Sequence, residues 1–186
     1  MRLLRRSLLV TAVLMVVAPA ASAAPGPSRV ATATLHHGVR TIGDLRVGPL
    51  GAPGVVSTLS DVRGVWGREV RLKRRSCTAS WGTGVRLLFT SFGGPSACSE
   101  RFLQVATITG PRWRVDVGQQ GYRIGLPRRQ LPPGAKKIPG WMGGGYELAT
   151  MPFAGIGGGT TTVMAHVSPR TDRVDRFVLF IGGAED

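Results

Sequence analysis

The side chains that could carry hydrolytic chemistry are few, and they are far apart in the sequence. Ser91 and Ser96 flank a Phe-Gly-Gly-Pro turn, and His166 is the one histidine placed to serve them as a base. Asp172 and Asp175 are two carboxylates close together in the chain. A serine hydrolase needs a nucleophile, a base and an orienting group, and a glycosidase needs two convergent carboxylates. No G-x-S-x-G motif occurs, and turn formation alone explains these serines and aspartates, so we predict no catalytic residue.

Metal and phosphate chemistry also lack their usual sequence patterns. A metal site needs three or four converging ligands, and the other two histidines, His36 and His37, are neighbours near the N-terminus. Residues 155–161, GIGGGTT, look like a phosphate-binding loop. Such a loop needs a lysine before its Ser or Thr and a helix after it, and here the lysine is missing and a strand is predicted instead. We therefore predict no metal site and no cofactor.

The first 23 residues have the pattern of a secretory signal peptide. Three arginines precede the apolar run Ser7 to Ala18, and Ala21-Ser22-Ala23 is a small-x-small cleavage site, which is typical of an exported protein. The apolar run is shorter than the roughly 20 residues that span a bilayer. We expect residues 1–23 to be removed, no membrane span to remain after cleavage, and the mature protein to be secreted.

Export makes the two cysteines interpretable. An even number of cysteines outside the cytoplasm indicates disulfide bonding, and Cys77 and Cys98 allow only one pairing. The strand-forming segment 84–92 and the turn residues 93–96 lie between them, so the spacing suits a hairpin. The chain-entropy model assigns such a loop about 3 kcal/mol of stabilisation. We predict the disulfide Cys77–Cys98.

The sequence is strongly basic, with a formal net charge of +14. Without the three leader arginines it has 21 basic and 10 acidic residues, a net charge of +11. Basic surfaces favour anionic partners, of which we expect an extracellular protein or an anionic wall polymer rather than nucleic acid. Because this charge is spread along the chain and forms no single stripe, a basic surface that serves only solubility is the simpler interpretation. The cations form two basic clusters, at 71–75 and at 128–137; Trp141 follows the second cluster, and Trp113 lies between two other arginines. Such aromatic side chains can stack on a ligand beside the cations, although core tryptophans and solvated arginines would give the same pattern. The candidate binding surface consists of Arg71, Lys73, Arg74, Arg75, Arg112, Trp113, Arg114, Arg128, Arg129, Lys136, Lys137 and Trp141.

Apolar patterns locate the elements that would position these residues. Thr58 with Asp61 three places later forms a capping-box start for a short helix, which Gly67 ends. In the strand predicted over 160–168, valines alternate toward one face and His166 lies on the other, which predicts a surface or half-buried histidine. Alternation and turn residues predict six strands in all, at 76–81, 85–92, 101–109, 145–153, 160–168 and 173–182.

The order of these elements indicates an internal duplication. Arg46-Val47-Gly48 in the first opening corresponds to Arg123-Ile124-Gly125 in the second, and three strands follow each opening. Prolines at 127, 132 and 133 limit the second helix to one turn. The predicted organisation is a signal peptide (1–23), a flexible N-terminal arm (24–40), a disulfide-bearing repeat unit (41–110) and a second repeat unit (111–186).

The segments IGDLRVG (42–48), STLSDVRGVWGR (57–68), YRIG (122–125) and PPGAKK (132–137), with a cysteine-bearing hairpin between the second and third, carry a family resemblance. From Thr41 to Gly183 the chain resembles secreted actinobacterial proteins of the tandem-repeat β-lactamase-inhibitor-protein fold, which is akin to the outer-membrane assembly lipoprotein domain. No inhibitory residue of that family matches a position here. The resemblance implies an α+β fold, in which two β-rich repeat units form an antiparallel sheet with short helices packed on one face.

These observations predict an exported, non-enzymatic binding protein whose exposed sheet face contacts a partner protein or an anionic cell-envelope polymer. One alternative is a small secreted hydrolase that uses Asp172, Asp175 or His166, and another is a purely structural envelope protein. A binding protein should expose arginine and aromatic side chains without a deep pocket, whereas a hydrolase should have a concave site with convergent acids or histidine.

Overall fold

A computed structural model describes residues 32–36, 39–48, 54–82, 84–91, 97–139, 144–152 and 160–183. The predicted signal peptide and Trp141 lie outside these residues. The helix α1 spans Leu59–Trp66, and 3₁₀ turns cover Arg74–Ser76, Cys98–Glu100 and Arg128–Gln130. The strands in chain order are β1 (Thr32–His36), β2 (Val39–Ile42), β3 (Leu45–Arg46), β4 (Arg71–Lys73), β5 (Thr78–Trp81), β6 (Val85–Thr90), β7 (Phe102–Ile108), β8 (Arg114–Val117), β9 (Gln120–Arg123), β10 (Lys136–Ile138), β11 (Gly145–Pro152), β12 (Thr160–Ser168) and β13 (Arg173–Gly183).

Eight of the strands form a large antiparallel sheet in the order β10-β11-β12-β13-β7-β6-β5-β4. The sheet consists of two four-stranded meanders, β4 to β7 and β10 to β13, which meet where β7 pairs with β13. The register there runs from Phe177 opposite Ile108 to Phe180 opposite Val105. The last strands of the two halves of the chain therefore lie side by side in the middle of the sheet.

The other five strands form a small sheet in the order β3-β2-β1-β8-β9. Its central strand β1 pairs in parallel with β8, with Ala33 opposite Val115, and the other three pairs are antiparallel. Ala33, Ile42 and Val115 are fully buried and belong to the same core as the large sheet. The small sheet therefore packs on one face of the large sheet, which we call the inner face.

The predicted helix is confirmed at both ends. The Thr58 hydroxyl accepts a hydrogen bond from the Asp61 backbone N–H at 3.2 Å, and the Asp61 carboxylate accepts one from the Thr58 N–H at 2.8 Å. Gly67 ends the helix in the left-handed region at φ 72°, which glycine adopts without a Cβ clash. The helix buries Leu59, Val62 and Trp66 in the core. Trp66 packs edge-on against Trp81 with ring centroids 5.3 Å apart, so both rings are core residues.

The predicted disulfide is confirmed. Cys77 and Cys98 are bonded, with Cα atoms 5.4 Å apart. Cys77 is fully buried just before β5, and Cys98 begins the 3₁₀ turn that precedes β7. The bond therefore joins the segment before the β5–β6 hairpin to the segment after it.

The fold class is confirmed at the level of an antiparallel-rich β protein, and its finer details differ from expectation. The six predicted strands occur as β5, β6, β7, β11, β12 and β13. The described part of the chain has one α-helix, and the proline-rich second opening forms the single turn Arg128–Gln130. The flexible-arm prediction is wrong for Thr32–His36, which is strand β1. This segment has few apolar side chains, and it forms a strand because it pairs with β2 and β8, not because its own residues alternate between apolar and polar.

A partly exposed ion pair lies at the C-terminal end of α1. Arg63 donates two hydrogen bonds to the Glu69 carboxylate, at 2.6 and 2.8 Å, and the Glu69 side chain is 4% exposed. The bonds from Arg63 are the main cause that lowers the pKa of Glu69. A lowered folded-state pKa stabilises the protein above the unfolded pKa of about 4.3, and this stabilisation is lost as the pH falls through the folded-state pKa.

Glu69→Gln is therefore expected to lower the free energy of unfolding by about 1–2 kcal/mol at pH 7, because one charge-assisted interaction is lost while its arginine partner stays partly solvated. The difference from wild type should shrink below about pH 4. Urea unfolding at pH 7 and pH 3 measures it. Glu100→Gln, which changes an exposed acid without an ion pair among the described residues, is the control and should behave like wild type. An equal loss for Glu69→Gln at both pH values would contradict the assignment.

Candidate binding surface

The two main basic clusters lie at opposite edges of the large sheet. Arg71 and Lys73 belong to edge strand β4, and Lys136 and Lys137 belong to edge strand β10. Seven interstrand steps of about 4.8 Å separate these edges, a path of about 34 Å along the sheet. The clusters therefore do not form one patch. Short, charged edge strands also prevent edge-to-edge pairing between copies of a protein, which gives both clusters a structural role.

The remaining predicted cations are exposed at separate places. Arg74 and Arg75 are in the 3₁₀ turn after β4, and Arg129 is in the turn Arg128–Gln130. Arg128 forms an ion pair with Asp172 at 3.0 Å. A hydrogen bond with Tyr146 and the charge of Asp172 raise the pKa of Arg128. The other two arginines of the predicted surface are Arg112, in a turn, and Arg114, which pairs with Asp116 of its own strand; both are exposed.

Trp113 is wrongly assigned to the binding surface by its sequence neighbours. Its side chain is fully buried in the core, while Arg112 and Arg114 on either side are exposed. The reason is alternation at the start of β8, where Trp113 and Val115 face the core and the arginines face solvent. Trp113 can therefore contribute to stability but cannot contact a partner.

His166 is buried rather than exposed or half-buried, which corrects a second prediction. Its side chain is 5% exposed, and Nδ1 lies 2.6 Å from Oδ1 of Asp175. The register of β12 against β13 shifts between His166 and Val167, which leaves Asp175 as an extra residue beside the ring. Such a bulge redirects a side chain. A general base must reach the proton that it removes, and this ring is almost closed to solvent.

The carboxylates of the alternative hydrolase have separate partners. Asp172 pairs with Arg128, whereas Asp175 pairs with His166 and lies 3.7 Å from Nε of Arg176. Asp172 has φ 52° in the turn between β12 and β13, a conformation that aspartate tolerates in turns. Within the described ranges, no three His, Cys, Asp or Glu side chains are grouped to hold a metal ion.

A groove of about 360 Å³ lies on the opposite face of the large sheet, which we call the outer face. Val85, Leu87 and Phe89 of β6 are buried in the core, so Arg86 and Leu88 between them face outward. The floor of the groove is apolar and comes from four central strand positions, while two cations stand at its β4–β6 side. The apolar floor residues are Leu88, Val105, Val178 and Phe180, Thr107 lies among them, and the cations are Lys73 and Arg86.

The charged side chains among the described residues that line this groove are all positive. No Asp or Glu is among the described residues that line it. Lys73 and Arg86 are exposed and form no ion pair within the described part of the chain. Ser76 and Thr78 add hydroxyl groups, which share a hydrogen bond at 2.9 Å. The groove, hereafter the outer groove, can therefore hold an apolar group next to an anionic one.

Sequence reasoning found Lys73 but missed Arg86 and the apolar floor. The signal was present in β6, where Leu88 is apolar at an outward position, and in β13, where Val178 and Phe180 are. An antiparallel sheet with one solvated face normally alternates apolar and polar residues. Central strands that are apolar on both faces therefore indicate a face that contacts something else.

Comparisons with protein families, with curated proteins and with solved structures found no match to this chain. The resemblance to the β-lactamase-inhibitor-protein fold therefore stays a hypothesis that rests on the sequence segments given above. No α-helix in the described ranges combines the length and the apolar character that crossing a bilayer requires.

Proposed function

We propose that this chain is an exported binding protein whose outer groove takes an acidic, partly apolar segment of a partner protein. The observation that carries the proposal is the composition of that groove, an apolar floor beside Lys73 and Arg86 with no described acidic lining residue. Buried apolar contacts give such a site affinity, and one-signed charge selects and steers an anionic partner.

Export is part of the proposal. The predicted leader at residues 1–23 supports it, and so does the disulfide Cys77–Cys98, because disulfides persist in oxidising compartments. Two tandem repeat units, 41–110 and 111–186, are the proposed origin of the architecture. The juxtaposition of β7 and β13, each the last strand of its unit, supports that origin.

A protein partner is favoured over a wall polymer by the floor of the groove. Leu88, Val105 and Phe180 offer apolar surface that a protein side chain fills, whereas a charged polymer would use only the cations. Binding is favoured over hydrolysis because His166 is buried and because Asp172 and Asp175 are bound to different partners.

Capture experiments with matched charge reversals test this function. The purified disulfide-bonded protein is immobilised and exposed to an extract of the cell envelope, and captured proteins are identified by mass spectrometry. We expect Arg86→Glu to lower capture of the specific partner at least about tenfold, because a repulsive charge then stands at the groove. Lys136→Glu, which reverses an exposed charge at the far edge of the same sheet, should capture as wild type does.

Capture supports the proposal only if it depends on Arg86 and if proteolysis of the bound partner leaves an acidic segment on the protein. Equal capture by wild type and Arg86→Glu contradicts the proposal. Capture of a polymer without protein, or no capture by wild type, also contradicts it.

A further inference from the structure

A second groove of about 480 Å³ lies on the other side of edge strand β4. Leu59 and Arg63 of α1 form one wall, and Leu72, Arg74 and Cys98 form the other. None of the described lining residues is acidic. Arg63 is occupied by its ion pair with Glu69, so Arg74 is the cation that this groove offers to a ligand.

The two grooves share one ridge. Lys73 and Ser76 line the outer groove, whereas Leu72 and Arg74 line the second groove. Side chains alternate between the two faces of a strand, so β4 and the 3₁₀ turn Arg74–Ser76 separate the grooves. Lys73, Arg74 and Arg75 are all exposed along this ridge. A continuous run of positive charge therefore connects one groove to the other.

The disulfide holds this ridge in place. The carbonyl oxygen of Arg74 accepts a hydrogen bond from the N–H of Cys77 at 3.2 Å and lies 3.4 Å from Sγ of Cys98. Cys77 is fully buried, and its carbonyl accepts a bond from the N–H of Phe89. The backbone that presents Arg74 and Arg75 is thus fastened to the core, which limits the entropy lost when a ligand binds.

We propose that the partner segment is extended, with an apolar anchor in the outer groove and a run of acidic residues that crosses this ridge into the second groove. The inference rests on the proposed function and specifies its ligand. The anchor covers Leu88 and Phe180, and the carboxylates contact Lys73, Arg74 and Arg75. Crossing between two faces about 10 Å apart needs at least about three extended residues at about 3.3 Å each.

Two labelled peptides test the extended path by fluorescence anisotropy. Both begin with leucine and phenylalanine, and they continue with either two or eight glutamates. The longer peptide should bind at least about tenfold tighter, because it links two subsites on one chain. The double substitution Arg74→Ser with Arg75→Ser should remove most of that gain, because it removes two of the cations that the glutamates are proposed to contact. It leaves the backbone hydrogen bonds of the turn intact, so the fold of the ridge should not change. The control pair Lys136→Ser with Lys137→Ser removes the same charge at the opposite edge and should change affinity less than about twofold.

The possible failures are distinguishable. Equal affinity for the two peptides, or equal losses in the two double variants, overturns the extended path. If Arg86→Glu weakens both peptides while the Arg74 and Arg75 substitutions change neither, the path is wrong and the outer groove keeps its function. If Arg86→Glu changes neither peptide's affinity, the proposed function itself fails.

Discussion

Trp113→Ala is expected to lower the free energy of unfolding by about 3–5 kcal/mol, the largest effect that we predict for a single side chain of this protein. Trp113 is among the largest fully buried side chains and belongs to the core shared by the two sheets. Its truncation removes apolar contacts and leaves a cavity that the surrounding strands fill only in part. A loss of this size is a large fraction of the stability of an ordinary domain. Urea unfolding followed by circular dichroism measures it.

The control for Trp113 is its own neighbour. Arg112→Ser changes an exposed residue beside it in sequence and should alter stability by no more than about 0.5 kcal/mol. Trp113→Phe keeps most of the apolar volume and should cost clearly less than the alanine substitution. If Trp113→Ala were as stable as wild type but lost its partner, the ring would belong to the binding surface, and the burial described here would be wrong.

The double substitution Cys77→Ala with Cys98→Ala is expected to cost about 3 kcal/mol, the second largest effect. The bond closes a sequence separation of 21 residues around the β5–β6 hairpin, and without it the unfolded chain gains conformational freedom. Alanine is the proper replacement because Cys77 is fully buried, where a serine hydroxyl would add a desolvation cost. The midpoint of urea unfolding should fall, while the circular dichroism of the folded state should be retained.

Reduction of the disulfide gives an independent measure of how much this bond stabilises the protein. Dithiothreitol should lower the unfolding midpoint of wild type toward that of the double variant and should leave the double variant unchanged. Thiol alkylation of denatured, unreduced wild type should label neither cysteine. A wild-type midpoint that dithiothreitol does not change, although alkylation shows that both thiols are then free, would contradict the predicted stabilisation.

Local physics explains which elements could be predicted. The ends of α1 followed from Thr58, Asp61 and Gly67, because capping depends on residues within one helical turn. The long strands followed from alternation, since Val85, Leu87 and Phe89 repeat with the period of a strand. Strand β1 could not be predicted in this way, because Ala33 is its only described buried residue and one of its two hydrogen-bond partners, β8, lies about eighty residues further along the chain.

The binding surface also combines features that the sequence predicts with features that depend on strand pairing. Its cations were visible as charge, but Lys73 and Lys136 belong to opposite edges of one sheet only because of the strand order. The floor of the outer groove is formed by side chains of β6, β7 and β13. β13 lies beside the other two strands because it pairs with β7. Residues this far apart in sequence meet through the sheet, and no short pattern encodes that meeting.

By itself, the sequence determined the properties that depend on composition or on near neighbours. These are the basic charge, the bounds of α1, the existence of six of the strands, and a disulfide for which the two cysteines allow only one pairing. The tertiary structure decided what depends on strand order and face, namely the burial of Trp113 and His166, the small second sheet, the separation of the two basic clusters and the two grooves beside β4. The physical reason is that capping and alternation act within a few residues, whereas burial and proximity are set by pairings such as β7 with β13, which join distant parts of the chain.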